Sequence, residues 1–257
     1  MKFRNVLGID FGGSGIKGAP VDTKKGRLLE KRFRLPTPVP ATPANVIDVI
    51  QEIVDHFKWT GSVGLAFPAV VQKGLILTAA NIDKSWIGSN AEALVSDKIG
   101  LPTFIINDAD AAGMAEMKFG SGKGRKGMVV IITIGTGIGS ALFSRKKLVP
   151  NTEFGHIYLS SGVDAEIVTS DAARKNEKLD WDEWAVRFNT YLHELENLLH
   201  PELFIIGGGI SKRPDRFSSL LSIETEYTIA GLKNDAGIIG AALAAKANKK
   251  QITPLIF

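Results

Sequence analysis

Leu7-Gly-Ile-Asp10-Phe-Gly12-Gly13-Ser14-Gly15-Ile-Lys17-Gly18 and, much later, Ile131-Ile-Thr133-Ile-Gly135-Thr136-Gly137-Ile-Gly139-Ser140-Ala-Leu142 share one pattern. Each is an apolar strand, a glycine turn and a second strand. In the first, Val6–Phe11 and Ile16–Asp22 read as strands joined by Gly12–Gly15. In the second, Met128–Ile134 and Ser140–Phe143 flank Gly135–Gly139. Two such copies, each followed by further strands and helices, predict two similar α/β lobes with mixed sheets.

The intervening sequence fits that plan. Leu28–Leu35 reads as a third strand, and Val46, Ile47, Ile50, Ile53, Val54 and Phe57 recur at helical spacing. The apolar run Val63–Val71 is broken by Pro68, and Asn90–Ile99 reads as a short helix closed by Gly100. Thr103–Asn107 is a buried-strand run that leads into a helix from Asp108 to Phe119. Asp180 caps a long helix with Trp181, Trp184, Phe188, Leu192, Leu195 and Leu199 on one face, read as core. Leu203–Ile206 is a strand ending in Gly207-Gly208-Gly209, and a Gly/Ala-rich helix runs from about Asp235 to Lys249.

Composition narrows the function. The 257 residues include 27 glycines, 31 Lys+Arg against 27 Asp+Glu, and no cysteine. Disulfides, thiolate-ligated zinc, iron–sulfur clusters and a cysteine nucleophile are excluded. Met128–Phe143, the most apolar stretch, falls short of a membrane span and no targeting segment is read, so a cytoplasmic protein is expected. Lys123, Arg125, Lys126, Arg145, Lys146 and Lys147 form a basic run without an acid. It reads either as a solvated face or as a polyanion footprint, and no nucleic-acid-binding signature accompanies it.

Three glycine turns follow strands. Around Asp10, glycines let backbone amides approach a phosphate, Ser14 and Lys17 add donors, and Asp10 can hold Mg²⁺ or its waters. No Gly-Lys-Ser/Thr follows, so this is not a Walker A loop; the plainer alternative is a tight hairpin. Thr136 and Ser140 are the extra donors of the second turn, where strand rather than helix follows, against a dinucleotide fingerprint. Asn107-Asp108 ends a buried strand, and Asp108 is either a general base or a helix N-cap. Glu153-Phe-Gly-His156 pairs a carboxylate with an imidazole suited to vicinal sugar hydroxyls, and no second ligand cluster supports a metal there. In Asn81-Ile-Asp-Lys-Ser-Trp86, Trp86 reads as a buried anchor and Asn81 as a candidate sugar contact.

Taken in order, Asp10-x-Gly-Gly-Ser-x-Ile-Lys17, Asn107-Asp108-Ala-Asp-Ala, Thr133-Ile-Gly-Thr-Gly-Ile-Gly139, Glu153-x-Gly-His156 and Gly207-Gly-Gly209 resemble the ROK sugar-kinase family, over about Asn5 to Ala247. Asn81–Gly88, Thr133–Ala141, Pro150–His156 and Gly207–Lys212 are similar to its branch that phosphorylates glucose from inorganic polyphosphate. The resemblance implies an actin-like/hexokinase (ribonuclease H-like) α/β fold with two lobes around a cleft. The expected lobes are 1–108, joined by the C-terminal helix 235–249, and 109–234. It further implies a homodimer, with glucose as acceptor, polyphosphate or ATP as donor, and Mg²⁺ as cofactor. Asp108 becomes the base toward the glucose 6-hydroxyl, with Asn81, Asn107, Glu153, His156 and Glu166 holding the sugar. The donor falls to Asp10, Gly12, Gly13, Ser14, Lys17, Thr133, Gly135, Thr136, Gly137, Gly208, Gly209 and Lys212. The basic run, extended by Lys212 and Arg213, becomes a candidate polymer track. Many family members carry a cysteine-rich zinc motif after Glu-x-Gly-His; Ser160–Glu166 has no cysteine, so no zinc is expected. A strictly ATP-dependent hexokinase is the nearest alternative. A catalytically silent sugar sensor is disfavoured by the intact Asp108, and a filament ATPase by Glu153-x-x-His156.

Overall fold

Both glycine turns close hairpins, and each hairpin heads its own sheet. A computed structural model describes residues 5–80 and 82–249 of the chain and divides into two units. The first holds the described residues up to Ala115 and those from Asp235 on; the second is Glu116–Asn234.

In the first unit, β1 (Asn5–Gly12) pairs antiparallel with β2 (Gly15–Asp22), with Gly12 opposite Gly15 and Gly13-Ser14 as the turn. The strand expected over Leu28–Leu35 is two short ones, β3 (Arg27–Leu28) and β4 (Phe33–Leu35), both against β2. The intervening charged residues Glu30, Lys31 and Arg32 leave the ladder. After α1 (Pro43–His56), β5 (Val63–Phe67) lies parallel to β1. Pro68, which has no N–H to give a ladder, ends it; a separate hairpin of β6 (Val71–Gln72) and β7 (Leu75–Ile76) follows. Then come α2 (Ala91–Ile99), β8 (Thr103–Asn107), parallel to β5, and α3 (Asp108–Phe119), whose residues from Glu116 on fall in the second unit. Trp86 is fully buried and its Nε1 donates to Ala41 O at 3.0 Å, the anchor role expected of it.

In the second unit, β9 (Met128–Ile134) and β10 (Ile138–Ser144) form the second glycine hairpin, and β11 (Lys147–Val149) extends it. Two short helices not anticipated from periodicity follow, α4 (Ala165–Thr169) and α5 (Asp171–Asn176). Both are started by side-chain caps, from Asp164 and Ser170. Helix α6 (Trp181–Leu199) opens with a capping box between Asp180 and Glu183. Its Trp184, Phe188, Leu192 and Leu195 are fully buried. Each such aliphatic or phenyl side chain contributes roughly 1.5–3 kcal/mol of burial. Strand β12 (Leu203–Gly208) runs parallel to β9, and β13 (Tyr227–Ile229) parallel to β12.

The strand orders are β3-β2-β1-β5-β8 and β11-β10-β9-β12-β13. Counted along each sheet's own path, both run third, second, first, fourth, fifth. The short sequence echo therefore marks a repeated topology. The last helix, α7 (Ala236–Lys249), belongs to the first unit and packs on β1 and β5. That packing is backbone to backbone: a Cβ on Gly8 would run into Ile238 O, and one on Gly64 into Ala241 O. Among the described residues, no helix is long and apolar enough to cross a membrane.

Candidate active site

In the first unit, the carboxyl ends of the parallel strands β1, β5 and β8 lie side by side, the usual ligand edge of such sheets. Asp10 is near the end of β1, and Asn107-Asp108 follows from the end of β8. Asp10 accepts an ion pair from Lys17, directly opposite on β2, at 3.0 Å. It also meets the first turn of α7, where a Cβ on Gly237 would run into its carboxylate. A helix N-terminus stabilises such a negative charge.

The turn itself is braced from its carbonyl side. Thr37 Oγ1 donates to Gly12 O at 2.6 Å, and Arg34 Nη2 donates to Ser14 O at 2.6 Å. Gly13 and Ser14 are exposed, and a Cβ on Gly13 would meet nothing within 4 Å. Neither the protein's packing nor a left-handed φ demands glycine there, which leaves room for a ligand against the backbone. Arg34 was not legible in advance. Its signal is the register, which aligns Asp10, Lys17 and Arg34 across three strands.

Asn107 caps α3: its Oδ1 accepts from Asp110 N at 3.0 Å, while its Nδ2 donates to Ala69 O at 3.1 Å. The capping alternative for Asp108 is thereby displaced by one residue. Asp108 is half-buried, and its Oδ1 accepts from Ala109 N at 2.8 Å. Asn81 lies outside the described residues.

In the second unit, the register sets Gly207 opposite Thr133 and Gly208 opposite Ile134. The second and third glycine turns thus share one sheet edge, with Thr136 and the exposed Lys212 beside them in sequence. Gly208 needs to be glycine: its φ is +80°, and a Cβ would strike Ile134. Ser140 takes a different role from the donor role expected. It is buried, its hydroxyl donates to Thr152 O at 2.6 Å and accepts from Phe154 N at 2.9 Å. It pins the Glu153–His156 segment to β10 because its side chain points there rather than toward the turn.

Glu153, His156 and Glu166 form one electrostatic cluster. Although Glu153 reaches solvent, crowding around its carboxylate strips water and raises its pKa; His156 opposes that shift and Glu166 reinforces it. Glu166 Oε2 accepts from Ile138 N at 2.7 Å and lies against Gly137, where a Cβ would collide with it. Asp164, absent from the expected set, binds His156: Nδ1 and Oδ2 are 3.0 Å apart. Burial works against a charged His156, but that hydrogen bond and the carboxylates of Glu166, Asp164 and Glu153 outweigh it and raise its pKa. Nothing in the sequence singles Asp164 out.

The basic run divides. Arg125 is paired with Glu226, whereas Arg145 and Lys146 form the exposed tip of the β10–β11 hairpin with φ of 51° and 65°. Among the described residues, no group of three His, Cys, Asp or Glu is arranged to hold a metal ion. Asp10 nevertheless suits Mg²⁺, which commonly takes one or two protein carboxylates and completes its shell with phosphate oxygens and water.

The repeated sheet, with glycine turns at its ligand edge, defines an actin-like/hexokinase fold. The chain belongs to the ROK family, which matches over residues 6–179. It is 46% identical over 246 residues to the polyphosphate glucokinase of Mycobacterium tuberculosis, covering 95% of this chain and 92% of that one. Among solved structures, it superposes on the inorganic polyphosphate/ATP-glucomannokinase of Arthrobacter sp. strain KM with a TM-score of 0.92. Identity there is 47%, over 95% of this chain and 99% of the other. A ROK family glucokinase from Streptomyces griseus, solved with glucose and AMPPNP, gives a TM-score of 0.82 at 27% identity, over 95% and 99% of the two chains.

Proposed function

We propose that the chain is a polyphosphate-dependent glucokinase that transfers a phosphoryl group from inorganic polyphosphate, and also from ATP, to the 6-hydroxyl of glucose. The observation that carries this is the near-full-length likeness to the Arthrobacter polyphosphate/ATP enzyme, 47% identical at a TM-score of 0.92.

In this reading Asp108, at the first turn of α3, is the catalytic base. Its carboxylate takes the proton of the 6-hydroxyl as that oxygen attacks the terminal phosphorus in line. The new bond is O6–P; the bond broken joins that phosphorus to the bridging oxygen of the donor, which departs shortened by one phosphate. Asn81, Asn107, Glu153, His156 and Glu166 hold the sugar hydroxyls. Gly12, Gly13, Ser14, Thr133, Gly135, Thr136, Gly137, Gly208, Gly209 and Lys212 offer amides, hydroxyls and a cation to the donor phosphates. Phosphoryl transfer asks chiefly for positioning and charge stabilisation, which such groups supply. Asp10 would hold Mg²⁺, which neutralises phosphate charge when bound. The reading extends to a cytoplasmic homodimer, for which light scattering gives the mass.

A donor panel at fixed glucose tests the function. Glucose 6-phosphate is expected with polyphosphate and with ATP. Product from ATP alone would establish the ATP-dependent hexokinase instead, and no product from either would leave a sugar sensor.

A further inference from the structure

Between His156 and α4 the chain makes a small loop back on itself. Tyr158 and Asp164 form an isolated antiparallel bridge, Ala165 N donates to Ile157 O at 2.9 Å, and Gly162, with φ of +77°, turns the loop. The loop brings one carboxylate against two members of the sugar cluster at once. Asp164 Oδ2 is 3.0 Å from His156 Nδ1, and Asp164 Oδ1 accepts from Glu166 N at 2.9 Å. The second contact makes Asp164 the N-cap of α4, the helix that carries Glu166.

We propose that Asp164 is a positioning residue of the sugar site, fixing which ring nitrogen His156 presents to substrate while setting the helical start that aims Glu166. This rests on the glucokinase reading of the site. A carboxylate accepts only, so Nδ1 carries a hydrogen in both charge states of the ring. Nε2 is left for substrate, as a donor when the ring is charged and as an acceptor when it is neutral. The charged groups facing His156 are Asp164, Glu166 and Glu153, all acids, and together they favour the imidazolium. An aspartate serving only as a helix cap has no need to meet the imidazole. Here both oxygens of one side chain are engaged, one on each sugar residue.

Asp164→Asn separates the two duties. The amide oxygen can still cap Glu166 N, but the amide nitrogen donates to Nδ1 and sends the proton to Nε2. Nitrogen-15 NMR of His156 in the substrate-free protein is expected to show the Nδ1–H form in the wild type. In D164N the Nε2–H form is expected, with the titration moved to lower pH. In steady-state assays the KM for glucose rises about tenfold, the low end of the loss when a partner that orients a metal-bound histidine is removed, while the KM for polyphosphate stays unchanged. An unaltered His156 spectrum and titration in D164N overturns the proposal. So does a glucose KM equal to wild type, or equal rises in KM for both substrates. Asp164→Ala, which loses both contacts, should raise the glucose KM further than D164N; a lowered Tm with unchanged glucose KM would reduce Asp164 to a cap. If the wild type forms no glucose 6-phosphate with any donor, the glucokinase reading fails, and the NMR result still decides the link between Asp164 and His156.

Discussion

The two glycine hairpins share a sequence pattern and a place in the topology, yet their surroundings differ. Gly13 of the first faces open space, and the turn is held from behind by Thr37 and Arg34. Gly137 of the second presses on Glu166, whose carboxylate also accepts the Ile138 amide at the base of the same turn. In the first unit the glycine turn joins β1 and β2, whereas Asp108 opens α3 after β8, and each has its own supports. In the second, the glycine turn and Glu166 are one mechanical piece. The comparison teaches that a repeated motif takes its role from its neighbours. Under the proposed function, the first unit would serve chemistry on a freely approached donor, and the second a grip in which donor and sugar contacts move together.

Removing the base tests that division most severely. Asp108→Asn should lower kcat by about 10²- to 10⁴-fold, the range for losing a general base. Glucose binding by calorimetry should stay within about twofold of wild type, the mark of a group needed in the transition state more than in the ground state. Loss of binding in proportion to turnover would place Asp108 in the grip and undo the contrast.

Next come the glycines themselves. Gly137→Ala drives a methyl into the Glu166 carboxylate. Because Glu166 also holds Ile138 N, the KM for glucose and for donor should rise together, by about tenfold or more, with a lowered Tm. Gly13→Ala puts its methyl into open space at an ordinary φ. Its Tm and glucose KM should match wild type, while the donor KM rises several-fold, to about tenfold. The pair is read by steady-state kinetics and thermal unfolding. Were Gly137→Ala to affect one substrate alone, the coupling in the second unit would be absent.

The fold was legible because its signals are local. Parallel strands such as Val63–Phe67 and Leu203–Ile206 are buried on both faces and read as unbroken apolar runs. Pro68 and the Asp180 cap punctuate the chain where the structure does. Short elements escaped because they are defined by partners. β13 is three residues held by β12, and α4 exists through its cap rather than through any periodicity. The same distinction governs the site. Glu153 and His156 carry a signature in sequence and Glu166 follows from the family resemblance; the structure brings the three into one cluster. Arg34 and Asp164 have none. Arg34 comes into view only through a cross-strand register, Asp164 only through a loop that folds back by a two-residue bridge. Ser140 shows the reverse error, where a hydroxyl beside a glycine turn faces inward and serves the backbone of Thr152 and Phe154.

The smallest expected effect concerns the basic run, which divides as the hairpins do. Arg125 has spent its charge on Glu226, while Arg145 and Lys146 stand exposed at the tip beyond β10, with Lys147 beginning β11. A lone surface cation contributes little to stability and is screened within about 10 Å at ordinary salt. A polymer of phosphates differs from a single ion because it can reach several such cations at once. Reversing Lys146 and Lys147 to Glu should therefore leave Tm and glucose KM unaltered and raise the KM for long polyphosphate about two- to fivefold. A chain of a few phosphates, held by the glycine turns alone, should respond less. Raising the salt should shrink the difference between the chain lengths, because it screens the distant contacts before the close ones. An equal response of short and long polymers moves the track elsewhere on the molecule and leaves the hairpin tip as a solvated surface, whereas a response confined to long chains extends the donor grip of the second unit from its glycine turns out along β10.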